Sequence, residues 1–298
     1  MALASPSSVD PAPVADPILS VTDVTLRFGG VVSLAGVSFS QQRGEILSVI
    51  GPNGAGKTSL FNCLTGVHTP QAGHIEFRPS GRPPVSLVGR KPNRVNRFGM
   101  ARTFQTSRLF NALTAFENVR VGVEARLHTG PVGAMLLLPR TRREDKFSRS
   151  RADELLDFVG LAARGDEVAS SLPYGDQRKL EIARALATGP ELLLLDEPAA
   201  GTTAGEKAAL EQVIRRVNGE LGVTVLLIEH DMRLVMSIAD RVAVLNFGRL
   251  IAMGTPADVQ RDEAVIEAYL GRAEEEADGR QDNAPGTAPG SPPDDGNA

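Results

Sequence analysis

The sequence predicts an α/β protein with a helical block set into its middle, and three observations carry that expectation. Ile46–Ile50 (ILSVI), Leu192–Leu195 and Val223–Ile228 (VTVLLI) are short apolar runs, the pattern of strands buried on both faces. Helically spaced apolar residues alternate with them, most clearly Leu210, Val213, Ile214 and Val217. Phe116–Ala163 interrupts the alternation with a mainly helical stretch, as an inserted subdomain would.

Taken in order, Ile18–Phe39 holds two β-type runs flanking Gly29-Gly30, which reads as antiparallel strands joined by a tight turn. A glycine loop and a helix follow the strand at Ile46–Ile50. Gly81–Arg97 is rich in Pro, Gly and Arg and reads as a surface excursion. Leu155, Leu156, Phe158 and Val159 form an apolar face near the end of the helical block. Beyond Tyr174, a helix is marked by Leu180, Ala183, Leu186 and Ala187, then come the buried strand at Leu192–Leu195 and a helix over Glu206–Leu221. Val242–Asn246 and Arg249–Met253 around Phe247-Gly248 read as a hairpin, and no internal repeat is visible.

Composition narrows the function classes. The chain has 298 residues, 42% hydrophobic and 23% charged, enough to bury a sizeable core. No window approaches the roughly 18 apolar residues of a membrane span. The first residues lack the basic start and apolar run of a secretory signal. The one cysteine, Cys63, excludes an internal disulfide and a cysteine-based zinc site, which fits a reducing cytosol. With no Trp, two Tyr and a net charge of −4, an aromatic and basic nucleic-acid surface is not expected. Residues 1–16 and 273–298 are rich in Pro, Ala, Gly, Ser and Asp and are expected to be a disordered leader and tail. The tail is acidic, with Glu274, Glu275, Glu276, Asp278, Asp282, Asp294 and Asp295 against Arg280. The folded domain is therefore expected over 17–272, with its helical subdomain at about 106–172.

The decisive string is Gly51-Pro52-Asn53-Gly54-Ala55-Gly56-Lys57-Thr58, followed by Ser59 and a helix. Glycines allow consecutive backbone amides to turn inward around phosphate oxygens, and the helix N-terminus adds its positive dipole end. Lys57 sets a point charge against the β- and γ-phosphates, and Thr58 offers a hydroxyl to Mg²⁺. The run Leu192–Pro198 (LLLLDEP) delivers Asp196 to the carboxyl end of a buried strand, where α/β sheets bind ligands. Asp196 there can hold Mg²⁺, and Glu197 can accept a proton from an attacking water. Gln105, ending ARTFQ, has an amide able to meet both cation and water. Within Tyr174-Gly175-Asp176, Gly175 stands just before a basic amphipathic helix, and His230 follows the strand at Val223–Ile228.

In this order and spacing the motifs resemble the ATP-binding subunit of an ABC transporter, over about 17–272. That resemblance implies a P-loop NTPase (RecA-like) core with an N-terminal antiparallel β subdomain and an inserted α-helical subdomain. It also implies a head-to-tail dimer closing on two ATP molecules. Each site would take Gly51–Thr58, Gln105, Asp196, Glu197 and His230 from one chain and the signature around Gly175 from a second ATPase subunit, a paralogue or a second copy. Phe28 stands where the family stacks an aromatic ring on adenine; core packing at a strand end is its other reading.

GMARTFQTSRLFNALTAFENVRVG, LPYG with LEIARAL, DEPAAG, IEHDM and the closing VIEAYLG resemble the importer ATPases for branched-chain amino acids. The resemblance implies two membrane permease subunits, a periplasmic binding protein acting through them, and a peripheral place on the cytoplasmic face of the bacterial inner membrane. Amide or urea uptake, lipopolysaccharide export, a soluble ABC machine and a P-loop kinase are the alternatives. Two departures stand out against the family pattern. Pro173 removes the hydroxyl of the usual L-S-G-G-Q signature, and Thr203 stands where an Asp is usual. Gly133–Leu138 is an apolar run followed by Pro139, Arg140, Arg142 and Arg143. It fits either the core of the helical subdomain or a patch beside the groove that receives a permease.

Overall fold

A computed structural model describes residues 16–103, 109–126 and 139–269. The first half runs β1 (Leu19–Phe28), β2 (Val31–Gln41), β3 (Ile46–Ile50), α1 (Lys57–Leu64), β4 (Ala72–Phe77), β5 (Val85–Ser86), α2 (Pro92–Phe98) and β6 (Met100–Arg102). The helical block supplies α3 (Ala115–Glu124) and α4 (Pro139–Phe158). Then follow α5 (Tyr174–Ala187), β7 (Leu192–Asp196), α6 (Ala204–Gly219) and β8 (Thr224–Ile228). The described chain ends with α7 (Met232–Ile238), β9 (Arg241–Asn246), β10 (Arg249–Gly254), α8 (Pro256–Arg261) and a last helical stretch over 263–269.

The strands form two sheets, one antiparallel in the order β2-β1-β4-β5 and one in the order β10-β9-β3-β8-β7-β6. In the second sheet all pairings are parallel except β9 with β10. Asp196 is level with Ile228, and Ile228 with Val49. The carboxyl ends of β3, β7 and β8 therefore share one edge of the sheet, and that edge carries the motifs.

The apolar runs are explained by burial on both faces. Leu193 and Leu195 of β7 join a core with Val119 of α3, Leu180 of α5 and Leu210 of α6. Leu192 and Leu194 face the other way, toward Leu60, Phe61 and Leu64 of α1 and Leu19, Ile75 and Phe77 of the antiparallel sheet. Because successive strand residues alternate faces, a strand between two cores is apolar except where a polar side chain has a partner, as the buried Ser48 hydroxyl has in the Leu227 carbonyl at 3.4 Å. Each such leucine contributes about 1.5–3 kcal/mol of burial. Cys63 is buried in α1, and burial pushes its thiol up to about 11, so it packs as a neutral residue.

Two expectations need correction, and one strand adds to them. Gly81–Arg97 is not merely a surface excursion: it contains β5 and α2, and Leu87 and Val95 are buried. Pro92 starts α2, where a missing N–H costs nothing and the fixed φ favours a helix. Strand β6 carried no periodic signal, yet it extends the parallel sheet beside β7. Gly175 does not precede its helix; α5 begins at Tyr174 with Pro173 as N-cap, so Gly175 lies in the first turn. Gln105, Gly133–Leu138 and the end segments 1–15 and 270–298 lie outside the described residues. Arg142 and Arg143 are exposed.

Candidate functional site

The loop after β3 is shaped by glycines that no other residue can replace. A Cβ on Gly51 (φ 147°) would stand 2.1 Å from the Leu245 carbonyl oxygen, and one on Gly56 (φ 103°) 2.6 Å from that of Ser33. Gly54 also has positive φ, at 76°. The β9–β10 turn clamps the loop from one side, where the Gly248 amide donates to the Ala55 carbonyl at 2.9 Å. Ser33 Oγ donates to Ser59 Oγ at 2.7 Å from the other.

Helix α1 then starts without any side-chain cap, at Gly56. Its first turn opens onto a cavity of about 270 Å³ lined by Ser33, residues 53–59 and Glu197. The Lys57 ammonium is buried in the loop, donating to the carbonyls of Gly51 at 2.6 Å and Pro52 at 3.0 Å. Backbone amides at a helix start, one ammonium and this volume suit the terminal phosphates of a nucleotide.

Asp196 closes β7, its side chain 3% exposed, and its Oδ2 accepts from Arg102 Nη2 at 2.6 Å. Glu197, the next residue, sits at φ 48°, a left-handed conformation that costs a non-glycine residue on the order of 1–3 kcal/mol. Its amide donates to the Ile228 carbonyl at 2.9 Å, which holds the turn and leaves the side chain on the cavity wall. Among the described residues no group of three or more His, Cys, Asp or Glu gathers as a metal site. Thr58 lines the cavity and Asp196 lies outside its lining, so a divalent cation at Thr58 would draw most of its ligands from phosphate oxygens and water, as Mg²⁺ characteristically does.

His230 follows β8 as expected, with its side chain 62% exposed. The residue before it was not singled out in the sequence. Glu229 is fully buried and accepts from the amides of Ala199 at 2.9 Å, His230 at 3.1 Å and Asp231 at 3.4 Å. Burial raises its pKa, and its carboxyl binds the turn after β7 to the turn after β8. Asp231 caps α7 by accepting from Arg233 and Leu234, and the Lys207 ammonium at 2.7 Å helps hold its carboxyl below the usual range. The only signal for Glu229 in the sequence was a carboxylate at the end of an apolar strand.

Phe28 is 47% exposed at the end of β1, which disposes of the core-packing reading. The His68 ring meets it edge-on, with centroids 5.2 Å apart. His68 carried no signal in the sequence.

Tyr174, Gly175 and Asp176 do not line the phosphate cavity of their own chain. Arg178 donates to the Tyr174 hydroxyl and is paired with the buried Glu181 at 2.9 Å. The Gly175 amide donates to Glu206 Oε1 at 3.0 Å. Asp176 accepts from Lys179 at 3.0 Å. Thr203 is the N-cap of α6 rather than a free loop residue.

Comparison with known proteins follows the same lines. Residues 34–200 match the family model described as ABC transporter, and 249–275 match that of the branched-chain amino acid ATP-binding cassette transporter. The chain is 44% identical over 260 residues to the high-affinity branched-chain amino acid transport ATP-binding protein LivG of Salmonella typhimurium, covering 87% of this chain and 100% of that one. It is 44% identical to the corresponding protein BraF of Pseudomonas aeruginosa, covering 86% and 99%. The fold is similar to a crystal structure of the ADP conformation of an ATP-binding cassette of an ABC transporter. There the TM-score is 0.73 at 30% identity, over 86% of this chain and 100% of that one.

Proposed function

The chain belongs to the ABC transporter family of ATPases, and from that premise we propose that it powers a branched-chain amino-acid importer by binding and hydrolysing ATP. The observation that carries the reading is the uncapped start of α1, which faces a cavity that Glu197 also lines. The loop Gly51–Thr58, through those of its backbone amides that carry an N–H, and the Lys57 ammonium hold the β- and γ-phosphates. Thr58, Gln105 and Asp196, the last directly or through water, would hold Mg²⁺, which would supply positive charge to offset that of the phosphates.

Glu197 orients a water and accepts its proton as the oxygen attacks the γ-phosphorus; the bond to the β-phosphate oxygen breaks and ADP leaves. Little covalent chemistry is asked of the protein, so positioning and charge dominate. Gln105 and His230 are assigned to the water and the γ-phosphate, and Phe28 to the adenine face. Tyr174, Gly175 and Asp176 serve the site of a second ATPase subunit in a head-to-tail dimer.

Two permease subunits receive the work, and a periplasmic binding protein supplies them. Among the described residues no helix is long and apolar enough to cross a membrane. A peripheral place on the cytoplasmic face of the bacterial inner membrane belongs to the same proposal and rests on the likeness to transporter subunits. The folded unit is assigned to 17–272, with the helical subdomain at about 106–172.

Glu197→Gln tests the assignment. Removing a general base lowers turnover by about 100-fold or more. The variant should therefore bind ATP·Mg²⁺ like the wild type in a calorimetric titration and accumulate as a nucleotide-bound dimer. Wild-type turnover would remove Glu197 from this role.

A further inference from the structure

Arg102 does not line the phosphate cavity, yet its guanidinium is bonded to Asp196, the carboxylate assigned to the cation. Nη2 donates to Asp196 Oδ2 at 2.6 Å, while Nη1 donates to Asn62 Oδ1 at 2.7 Å and Thr65 Oγ1 at 3.2 Å. Its plane lies over the Phe61 ring, 5.4 Å from the centroid. The two side chains of the ion pair are 7% and 3% exposed. Charges so far from water are tolerated when each has the other, and breaking such a pair leaves a strongly penalised ion.

The neighbours give the pair a direction. Asn62 lies in α1, Thr65 is its C-cap, and the N-terminus of the same helix forms the phosphate cradle. Asp196 ends β7, and Arg102 ends β6 in parallel register with Leu194. One guanidinium therefore joins the phosphate-loop helix to the carboxylate assigned to the cation. A lysine has no planar fork with which to hold all three partners at once.

Resting on the reading of this edge as a nucleotide and Mg²⁺ site, we propose that Arg102 is the resident counter-cation of Asp196. It fixes the carboxylate's orientation and balances its charge. A free divalent cation, drawn to a lone carboxylate but not to a neutral pair, gains little at Asp196 until nucleotide phosphates bring their own charge. Arg102 is thus a positioning residue that makes the metal arrive with the nucleotide rather than before it.

The test uses the full chain without nucleotide. Arg102→Met removes the charge at nearly constant length and leaves Asp196 buried and unpaired. Its melting temperature should fall by about 10 °C. Mg²⁺ or Mn²⁺ should restore at least half of that loss, while the wild type does not respond to either cation. Electron paramagnetic resonance should find one bound Mn²⁺ per Arg102→Met chain and none on the wild type. The double variant Arg102→Met/Asp196→Asn should lose the cation response, which a merely structural role for Arg102 does not require.

Arg102→Lys keeps a charge and should stay insensitive to Mg²⁺. The proposal is overturned by an Arg102→Met protein no more cation-sensitive than the wild type, by cation binding to nucleotide-free wild type, or by a Lys variant that responds like Met. If Arg102→Met folds only on refolding with Mg²⁺, the proposal stands; if Mg²⁺ gives no recovery, it falls. A parallel titration of wild type with ATP·Mg²⁺ reports on the nucleotide reading separately, since failure there does not depend on Arg102.

Discussion

The start of α1 carries no side-chain cap and opens onto the phosphate cavity, whereas the start of α6 is closed by its own residues. Thr203 accepts from the Glu206 amide at 3.4 Å, and the Glu206 carboxylate accepts from the Thr203 amide at 2.8 Å. The same reciprocal box closes α3 with Thr114 and Glu117, and α8 with Thr255 and Asp258. First-turn amides have no partner inside a helix and must find one elsewhere. Helices α3, α6 and α8 bring the acceptor in their sequence, and α2 starts without a side-chain cap on Pro92, which has no N–H to satisfy; the helix that serves the ligand begins at glycine and leaves the acceptor to come from outside. Helix α5 lies between these cases. Pro173 offers no side-chain cap, and the Gly175 amide is given an acceptor from α6, the Glu206 carboxylate.

The largest effect should come from closing the open helix start. In Gly56→Ala the new Cβ meets the Ser33 carbonyl at 2.6 Å with φ at 103°, so the loop must move. ATP affinity should fall by about 100-fold or more in a calorimetric titration, because the cradle depends on consecutive amides converging. Unchanged affinity would mean that the α1 amides are not what holds the phosphates. The reverse experiment removes a cap from a scaffold helix. Thr114→Ala should cost about 1 kcal/mol, a fall of about 2–4 °C in melting temperature. ATP affinity should be unaltered there, and a change in it would break the division between capped and open starts.

How much of this was readable depended on whether a residue's role is set locally or across the sheet. The phosphate loop and the positions Leu210, Val213, Ile214 and Val217 were legible, because glycine conformation and helical burial impose their pattern on adjacent residues. The leucines of β7 were legible for a related reason, since both faces of that strand are covered. Strand β6 was not: three residues ending in Arg102 have no period, and their conformation comes from pairing with β7. Arg102 and Glu229 are single charged residues whose partners lie 94 and 30 positions away, at Asp196 and Ala199. No local window marks Arg102, and Glu229 shows there only as a carboxylate ending an apolar strand. The start of α5 lies two residues earlier than the sequence suggests, because a proline two residues before a glycine reads as a loop, although Pro173 is here the N-cap.

The smallest and most selective effect concerns Glu206, which serves α6 and α5 together. Its Oε2 accepts from the Thr203 amide and hydroxyl, and its Oε1 from the Gly175 amide. The Thr203 amide first, then the Thr203 hydroxyl and the Gly175 amide, hold its carboxyl below the ordinary value of 4.5. A carboxyl whose folded pKa lies below its unfolded one stabilises the fold above the unfolded value and loses that contribution as pH falls through the folded value. Glu206→Gln keeps an acceptor oxygen for one helix start but carries no charge to titrate. The wild type should therefore melt above the variant at neutral pH, and the gap should close as pH drops below 4.5. Melting temperatures of the two proteins between about pH 3 and pH 7 measure it. A gap that stays constant across the range would mean that shape rather than charge joins α6 to the start of α5, and the intermediate standing of α5 between closed and open helix starts would be lost.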